Sequence, residues 1–450
     1  MTNTSKGARL YEDMAYGPAP IANSFWRTTV PAMDCAALHG AVRCDTVIIG
    51  AGYTGLNAAL ALAEAGQDVV VLDANQPGWG ASGRNGGFCC LGGAKAKAKT
   101  LVKRHGAEDA LAYATAERDS VDHVAALLER HGIDADTHSK GETLLAHTPR
   151  RGKALAGEVA HIRDTLGVEA EYLPAEALPE HGFNSPEFHG ALTVPIGFAL
   201  NPMKYVTGLA RAAMAAGVRI FGQSAVNAID TGPTGAHRLS TETGEVTARN
   251  LIVATNGYSS ENLPPWLAGR VLPVQSSIIV TRPMSDDELK AQGWTTRQMA
   301  YDSRHLLHYF RLLPENRMLF GLRAAYRATP AMHADTERRA RGDFDRFFPA
   351  WQNVETEHFW SGLVALSRSL TPFAGPIPGM NNAWGAMCYH GNGVAMGSYA
   401  GRLLAAQITG TGPATPGLMR EPLRRFELGS WRRLALPAAY GWYALQDMMP

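Results

Sequence analysis

The chain has 450 residues, of which 46% are hydrophobic and 18% are charged. That balance is typical of a globular protein, and at about 150 residues per domain it allows roughly three structural units. The 42 Lys and Arg residues nearly equal the 41 Asp and Glu residues, which leaves a net charge of +1. This charge favours neither nucleic acid nor another polyanion as a partner.

The cysteines exclude two further classes of protein. There are five of them, and no two stand in a CxxC pair. This argues against a disulfide framework or a zinc site, so we expect no metal and a reducing cytoplasm as the compartment. His305 and His308 are expected to have no nearby carboxylate and therefore to make a poor metal site. No secretory signal and no run of about 18 apolar residues stands out, so no membrane span is predicted.

An irregular leader is expected over 1–39, and a β-α-β unit follows it. The run CDTVIIG (44–50) is short, apolar and rich in β-branched residues, which predicts a buried strand. The Ala- and Leu-rich segment 51–66 ends on glycine and predicts a helix. The run DVVVLDA (68–74) predicts a second buried strand.

The rest of the chain alternates helical and strand patterns. Charges at helical spacing predict a mostly helical stretch from about 100 to 180. The amphipathic C-terminal segment 416–450 is expected to pack on the body of the protein. Between residue 180 and this C-terminal segment, the sequence predicts a helix running into a strand (201–221), a strand meander (225–255) and further strands (271–323). A charged helix (331–348) follows, and then a strand, a glycine-rich turn and a helix (384–410).

The sequence GAGYTG (50–55) stands between the first predicted strand and its helix. In such a turn the first glycine allows the tight bend, the second lets a pyrophosphate approach the backbone, and the third lets helix and strand pack closely. The helix N-terminus offers free N–H groups and a positive dipole to the phosphates. Asp73 ends the second strand, where a carboxylate accepts hydrogen bonds from ribose hydroxyls. Together these features predict a dinucleotide site.

A second glycine-rich loop, GWGASGRNGG (78–87), follows the second strand closely. NAD-binding folds usually continue at this point into another crossover helix. A bare backbone so soon after Asp73 suits a bulky ligand that lies extended along the main chain. The pattern therefore favours FAD over NAD.

Several motifs together resemble one known group of proteins. They are GYTGLNAALALAEAG, GWGASGRNGG, PVQSSIIVTRP, RMLFGLRA and YHGNGV. From about 24 to 440 the chain resembles the flavin oxidoreductases of the D-amino-acid oxidase and sarcosine oxidase superfamily. It looks most like the γ-glutamylputrescine oxidase branch, which implies a part in polyamine catabolism.

The resemblance implies an α/β fold, in which a glutathione-reductase-like Rossmann FAD domain is joined to a second, antiparallel-sheet substrate domain. The implied FAD domain is discontinuous and covers 40–100, 200–262 and 362–415. The implied substrate domain covers 101–199 and 263–361.

The resemblance also implies which residues hold FAD. The link is expected to be non-covalent, because 360–380 contains no cysteine. The first turn and Asp73 would hold the pyrophosphate and the adenosine ribose, and the second loop and the YHGNGV turn would approach the flavin ring. The expected cofactor-binding residues are Gly50, Gly52, Tyr53, Thr54, Gly55, Asp73, Ala74, Gly80, Ala81, Ser82, Arg84, Asn85, Gly86, Gly87, Val226, Thr255, Gly257, Gly391, Asn392, Gly393 and Val394.

Two positions depart from the family pattern. Family members that act on α-amino acids carry an arginine in a GLRP-like segment, where this chain has Val364. Sarcosine oxidases carry a lysine just after the last glycine turn, where this chain has Ala395. Neither side chain can clamp a carboxylate. The substrate is therefore expected to be an amine, or a longer molecule whose carboxylate binds elsewhere.

Three residues are candidates for catalysis on the substrate side, each with a structural role as its alternative. They are His390 beside the last turn, and Tyr309 and Arg323 in the strands of the second domain. The cysteines in motifs that should approach the flavin are expected to be small buried hydrophobes rather than reactive thiols. They are Cys89, Cys90 and Cys388.

The implied reaction is oxidation of an amine C–N bond, in which hydride passes to flavin N5 and water hydrolyses the imine to an aldehyde. The expected substrate is a small amine like γ-glutamylputrescine, and the expected acceptor is oxygen. One alternative is a dehydrogenase that acts on an N-methyl amine or a cyclic imino acid and uses another acceptor. The other alternative is a non-catalytic protein that binds FAD.

Overall fold

The computed structural model describes residues 8–232 and 235–448, in which two eight-stranded sheets lie beside a two-stranded ribbon. The strands are β1 Gly40–Ile49, β2 Val69–Leu72, β3 Phe88–Cys90, β4 Glu142–Leu145, β5 Glu171–Pro174, β6 Gly190–Val194, β7 Gly197–Ala199, β8 Arg219–Phe221, β9 Ala228–Thr231, β10 His237–Ser240, β11 Gly244–Val253, β12 Val271–Thr281, β13 Met299–Asp302, β14 Tyr309–Leu312, β15 Met318–Leu322, β16 Thr356–Ser367, β17 Phe373–Pro376 and β18 Ala383–Met387. The α-helices are α1 Tyr53–Glu64, α2 Ala98–His105, α3 Ala107–Arg130, α4 Pro149–Ala156, α5 Glu158–Leu166, α6 Pro202–Ala215, α7 Asp286–Gln292, α8 Pro330–Phe347, α9 Ala395–Thr409, α10 Gly417–Arg420 and α11 Leu436–Asp447.

The first sheet is parallel at its centre. Its main path runs β17-β18-β11-β1-β2-β8, and β10 and β9 extend it beside β11. Strand β1 pairs in parallel with β11 on one side and with β2 on the other. All four residues of β2 are buried, as is typical of parallel strands covered on both faces. Because parallel strands end at the same edge of a sheet, the loops after β1, β2 and β11 come together there.

The second sheet is mostly antiparallel and runs β16-β12-β15-β14-β13-β4-β6-β5. Strands β4 and β5 lie inside the stretch from 100 to 180, so the prediction of helix is wrong at these two places. Each has only four residues, which is too short for a clear alternating pattern. Strand β13, which pairs with β4, lies far along the chain, so tertiary pairing and not local sequence makes 142–145 a strand. We propose the two sheets as the cores of the two expected domains.

Aromatic residues form the core between the second sheet and α8. Trp294, Phe310, Phe320, Phe347 and Phe348 are all fully buried. Phe310 stacks on Phe320 with ring centroids 5.8 Å apart, and Trp294 meets Phe348 edge to face at 5.2 Å. Such pairs add roughly 0.5–1.5 kcal/mol each beyond the burial of their area. This core holds β14 and β15 in fixed positions.

The leader and the C-terminal segment pack on each other and on the second sheet. Tyr11 and Leu436 belong to one buried cluster, and Arg433 pairs with Glu12 at 2.6 Å. Within 8–232 and 235–448, we find no helix with both the length and the apolar character that crossing a bilayer requires. Large apolar side chains that stay exposed near the C-terminus include Leu428, Trp431, Leu434, Trp442, Leu445 and Met448.

Arg432 anchors the C-terminal segment. Its side chain is buried, Nη1 donates to Glu261 Oε2 at 2.9 Å, and Nε donates to the Val271 carbonyl at 2.8 Å. Arg432→Ala is expected to lower the free energy of unfolding by about 3 kcal/mol, because it leaves the Glu261 carboxylate without its partner. Urea unfolding of the FAD-loaded protein, followed by circular dichroism, measures this change.

The control for this prediction is Arg238→Ala, which removes an exposed ion pair with Asp230. Exposed pairs contribute about 1 kcal/mol or less, so the control should remain close to wild type. An equal loss of stability in both variants would contradict the anchoring role of Arg432.

Candidate active site

A long cavity of about 1170 Å³ follows the edge where β1, β2 and β11 end. Parallel pairing brings these ends together from distant parts of the chain. A cavity of this size, lined by several glycines, suits a ligand as long as a dinucleotide. Most of its wall comes from residues within 49–54, 72–85, 223–227, 254–263, 363–365 and 389–394.

The turn after β1 brings the backbone close to neighbouring elements. Gly50 has φ of +109°, a conformation that favours glycine, and its N–H donates to the Leu72 carbonyl at 2.8 Å. A Cβ on Gly55 would overlap the Gly50 carbonyl oxygen, so helix α1 can start this close to β1 only with glycine there. Residues 52–54 line the cavity, which puts the positive end of the α1 dipole beside it.

Asp73 stands just after β2, beside this turn. One of its carboxylate oxygens accepts a hydrogen bond from the Ala51 N–H and the other accepts one from the Asn75 N–H, both at 2.8 Å. The residue is half-buried, and burial raises the pKa of its carboxyl group. Each oxygen keeps a second lone pair, so the carboxylate can also accept hydrogen bonds from the hydroxyl groups of a ligand.

The second glycine-rich loop forms the next part of the wall. Ser82 Oγ accepts a hydrogen bond from the Tyr53 N–H at 2.9 Å, which ties this loop to the start of α1. Asn85 Nδ2 donates to the Ala81 carbonyl at 3.1 Å, and Asn85 Oδ1 accepts from the Gly87 N–H at 2.8 Å. These bonds hold the loop in place while leaving the cavity open beside it.

Arg84 braces this loop from behind. Its Nε donates to the Trp79 carbonyl at 2.8 Å, and its Nη1 donates to the Ser361 carbonyl of β16 at 3.2 Å. The side chain therefore joins the loop to the second sheet and lies off the wall of the long cavity. The other expected cofactor residues that lie off this wall are Gly55, Gly86, Gly87, Gly257 and Asn392. The remaining ones line it, including Ala74, Gly80, Val226 and Thr255.

The last glycine turn closes the far end of the cavity. Gly391 has φ of +112°, and Gly391, Gly393 and Val394 line the wall. Helix α9 begins at Ala395, directly after this turn. Its N-terminus therefore adds positive potential at this end.

The leader also lines the cavity, which sequence reasoning missed. Arg9, Tyr11, Asp13 and Tyr16 contribute to the wall. Arg9 donates to the Tyr258 carbonyl, and its guanidinium lies 4.7 Å from the centroid of the Tyr16 ring. An irregular segment has no hydrophobic periodicity, so the sequence carries no signal that could have placed these residues here.

The long cavity fits FAD. Backbone at Gly50 and Gly52 borders it, the Asp73 carboxylate stands where ribose hydroxyls need an acceptor, and two helix N-termini lie along it. A Cβ on Gly52 would lie 2.8 Å from Ser82 Oγ, so a side chain at this position would close the gap between the turn and the second loop.

A smaller cavity of about 220 Å³ adjoins the long one. A molecule bound there would meet the end of a ligand in the long cavity at the wall that the two share. The side chains of Lys95, Glu142 and Arg323 line the smaller cavity, which suits a polar, charged molecule. The residues that line both cavities are Ala81, Asn85, Leu363, Val364, Gly391 and Val394.

Two charged residues of the smaller cavity, Glu142 and Arg323, have surroundings that suit contact with a ligand. Burial raises the pKa of Glu142 to about 7, against the opposing effects of a hydrogen bond from the Cys90 thiol and of the Lys95 ammonium. Arg323 Nη2 donates to the His390 carbonyl at 3.3 Å, while its buried Nε finds no hydrogen-bond partner in the part of the chain that the structure describes. Because an unpaired buried donor is costly, this atom is suited to a ligand acceptor.

The two other catalytic candidates have different surroundings. Tyr309 lines the smaller cavity, its hydroxyl lies 2.8 Å from Ser276 Oγ, and burial raises its pKa to about 12. His390 Nδ1 lies 2.6 Å from the Gly93 carbonyl, and Nε2 accepts a hydrogen bond from the Ser367 N–H at 3.1 Å. Burial lowers the pKa of His390 to about 4. Because both ring nitrogens already make hydrogen bonds, His390 fits the structural role that the sequence analysis gave as an alternative, and it does not fit a role in proton transfer.

The cysteines near the two cavities are buried and free. Burial raises the pKa of the Cys89, Cys90 and Cys388 thiols, which keeps them in the unreactive protonated form. Cys90 lines the smaller cavity.

His305 and His308 do have carboxylates near them, contrary to expectation. His308 Nδ1 lies 2.9 Å from Asp302, His308 Nε2 lies 3.2 Å from Asp343, and His305 lies 2.7 Å from Asp447. Asp343 and Asp447 reach the histidines from distant parts of the chain, whereas Asp302 lies six residues before His308 in the sequence. Among the described residues, no group of three or more His, Cys, Asp or Glu side chains is arranged to hold a metal.

The two sheets and the paired cavities define a flavin-dependent oxidoreductase. The family model described as DAO, FAD dependent oxidoreductase, matches residues 45–407, and the chain therefore belongs to this family. It is an FAD-dependent enzyme that oxidises C–N bonds of amines or amino acids. The expected family, enzyme class and cofactor are confirmed.

Similar proteins support this assignment. Gamma-glutamylputrescine oxidoreductase of Escherichia coli strain K12 is 31% identical over 92% of this chain and 95% of its own length. Probable oxidoreductase OrdL of Rhizobium meliloti strain 1021 is 30% identical over 94% of this chain and 97% of its own. The crystal structure of glycine oxidase from Geobacillus kaustophilus is similar with a TM-score of 0.71 and 20% identity, over 86% of this chain and all of that one. The expected α/β fold is thereby confirmed.

Asp73→Asn is expected to raise the dissociation constant for FAD about 10- to 100-fold. The amide has one acceptor oxygen instead of two, and hydrogen bonds to a charged group contribute about 1.5–3 kcal/mol. Titration of apoprotein with FAD, followed by quenching of flavin fluorescence, measures the change. The control is Asp68→Asn at the other end of the same strand, where the carboxylate is exposed and pairs with Arg219. Equal affinity for FAD in both variants would contradict the role of Asp73.

Proposed function

We propose that this enzyme oxidises the C–N bond of γ-glutamylputrescine or a closely similar amine, with oxygen as the electron acceptor. The observation that carries the proposal is the smaller cavity, which adjoins the long cavity and is lined by three cations, Arg84, Lys95 and Arg323, and by the carboxyl group of Glu142. The 31% identity to a gamma-glutamylputrescine oxidoreductase over most of both chains supports the same conclusion.

The charges of the smaller cavity complement those of the proposed substrate. γ-Glutamylputrescine carries a carboxylate and cationic amino groups. Arg323 and Lys95 can attract the carboxylate, and Glu142 can attract an ammonium group. Arg323 has the buried Nε donor described above, and a carboxylate oxygen would satisfy it.

The two positions that depart from the family pattern agree with this substrate. Val364 lies on β16 and lines both cavities, so no cation from this strand meets the shared wall at that point. Ala395 opens α9 and is buried. Neither side chain can bind a carboxylate, whereas Arg323 donates a hydrogen bond to the His390 carbonyl at the last glycine turn and carries a charge there.

In the proposed reaction an amine, oxygen and water give an aldehyde, an amine or ammonia, and hydrogen peroxide. FAD held in the long cavity would supply the chemistry of hydride acceptance and of electron transfer to oxygen. The protein binds the amine beside the shared wall, orients it through charged side chains, and excludes bulk water with the apolar surfaces of Leu363 and Val364. Tyr309 keeps its proton at neutral pH and offers a neutral polar surface.

A second candidate function is oxidation of a cyclic imino acid or an N-methyl amine with a non-oxygen acceptor. The hydrogen bond from Arg323 to the His390 carbonyl favours it, because this bond holds the guanidinium beside the glycine turn. A carboxylate bound there would lie near the reacting carbon, as in a small amino acid.

An anaerobic panel of amines separates the two candidates. The panel contains γ-glutamylputrescine, putrescine, sarcosine, pipecolate and proline, and loss of the flavin absorbance band is followed in time. We expect γ-glutamylputrescine to bleach the band fastest and air to release one peroxide per turnover. Fastest bleaching by proline, pipecolate or sarcosine, without peroxide in air, would establish the second candidate instead.

Arg323→Met is expected to lower kcat/KM for γ-glutamylputrescine about 30- to 100-fold, because the carboxylate loses a charged hydrogen-bond donor. Putrescine has no carboxylate and serves as the matched control substrate, with an expected change of less than about threefold. Steady-state peroxide formation measures both. Equal losses for the two amines would contradict the pairing of Arg323 with the carboxylate.

A further inference from the structure

Glu142 occupies a special position in the smaller cavity. It is the first residue of β4, where it pairs with Met299 of β13 and with Val194 of β6. Among the described residues that line this cavity, it is the one with a carboxyl group. The second sheet therefore holds a half-buried acid beside the place proposed for the substrate.

The other polar groups that line this cavity are poor proton acceptors. Arg84 and Arg323 are guanidinium cations, Lys95 is an amine whose pKa burial lowers, and the Tyr309 hydroxyl keeps its proton at neutral pH. Burial raises the pKa values of the Tyr301 hydroxyl and the Cys90 thiol, so both are neutral donors. The ring nitrogens of His390, whose backbone forms part of the turn, are both engaged. Of the described residues around this cavity, Glu142 is therefore the one anionic group, which can both attract an ammonium ion and take up its proton.

Amine oxidation requires such a group. An alkyl amine is protonated at neutral pH, and only the neutral amine has a lone pair to stabilise the cation that forms when the C–H bond breaks. An enzyme that binds the ammonium form must therefore remove one proton before oxidation.

We propose that Glu142 accepts this proton from the substrate ammonium group. The inference rests on the proposed function and deepens it. In this step one N–H bond of R–CH2–NH3+ breaks, and its proton forms an O–H bond with the Glu142 carboxylate. The electron pair stays on nitrogen, so the products are R–CH2–NH2 and a neutral carboxylic acid, and nothing is oxidised or reduced.

The environment of Glu142 suits this exchange. Burial raises its pKa to about 7, while the Cys90 thiol and the Lys95 ammonium favour the ionised form. A base with a pKa near the working pH exists partly as carboxylate before the transfer and can hold the proton afterwards. At pH values below this pKa the carboxyl group of Glu142 is already protonated and cannot accept a proton, so the rate of amine oxidation should fall.

The test is Glu142→Gln in the FAD-loaded enzyme, with the amine that bleaches the wild type fastest. The rate constant of anaerobic bleaching at saturating amine is measured between pH 5.5 and 10. In the wild type we expect it to rise with pH to a plateau, with a midpoint at or below about 7. In the variant we expect a loss of about 100-fold at pH 7, followed by a rise of about tenfold per pH unit towards the pKa of the free amine.

Glu117→Gln is the matched control. Glu117 lies on α3, and burial raises its pKa to about 7 with Lys95 nearby, as for Glu142. However, it lines neither cavity. We expect the control to keep the wild-type rate and pH profile. If it shows the same loss as Glu142→Gln, general electrostatics and not proton transfer explains the effect, and the proposal is overturned.

A binding measurement adds a readout that needs no turnover. tert-Butylamine has no hydrogen on the carbon next to nitrogen, so it cannot be oxidised to an imine. Its affinity, measured from the shift of the flavin spectrum, should fall at least about tenfold in Glu142→Gln and stay unchanged in Glu117→Gln. Equal affinity in all three proteins would contradict contact between Glu142 and the amine.

Glu142→Asp covers the case in which the glutamine variant fails to retain FAD. Aspartate keeps a carboxylate, so the variant should be slower while its rate still titrates near neutral pH. A slow variant without this titration would overturn the proposal. If no amine bleaches the wild type, the proposed function itself fails. If the wild type is bleached and Glu142→Gln is unaffected, only the inference about Glu142 fails.

Discussion

The parallel pairing of β1 with β2 and β11 is the constraint on which the site depends. It sets the ends of three strands level at one edge of the first sheet. The turn at 50–55, Asp73 and Thr255 therefore meet, although up to about 200 residues separate them along the chain. A Cβ on Gly50 would lie 2.8 Å from the Ala254 carbonyl oxygen, so this convergence leaves room for backbone alone.

The second sheet turns this cofactor cavity into a reaction site. Glu142 at the start of β4 and Arg323 just after β15 line the smaller cavity, which adjoins the long one. Keeping charged groups in a partly buried place costs free energy. Ionisable groups with shifted pKa values, when they lie together in a cleft beside a cofactor site, are typical of ligand binding and catalysis. The aromatic core behind β14 and β15 supplies the rigidity that this arrangement needs.

The arrangement of cations around the smaller cavity supports the proposal that the substrate is not a simple α-amino acid. Val364 brings no charge from β16 to the shared wall, while Arg323, just after β15, lines the smaller cavity only. Moving the cation changes where a carboxylate can bind relative to the reacting carbon. The carboxyl group of Glu142 then gives the cavity both signs of charge, which a substrate with both kinds of group can use.

The flavin class could be predicted from the sequence, and so could the turn at 50–55 and the carboxylate of Asp73 as candidates for binding the cofactor, because these signals are local. Gly50 and Gly52 border the long cavity, and Gly55 lets α1 start close to the preceding strand. The tertiary structure decided the substrate side. Strand β4 is too short to give a recognisable strand pattern in the sequence. The hydrogen-bond partners of the His390 ring nitrogens are backbone groups of Gly93 and Ser367. Burial and hydrogen-bond partners are set by residues far apart in the chain, and no local pattern records them.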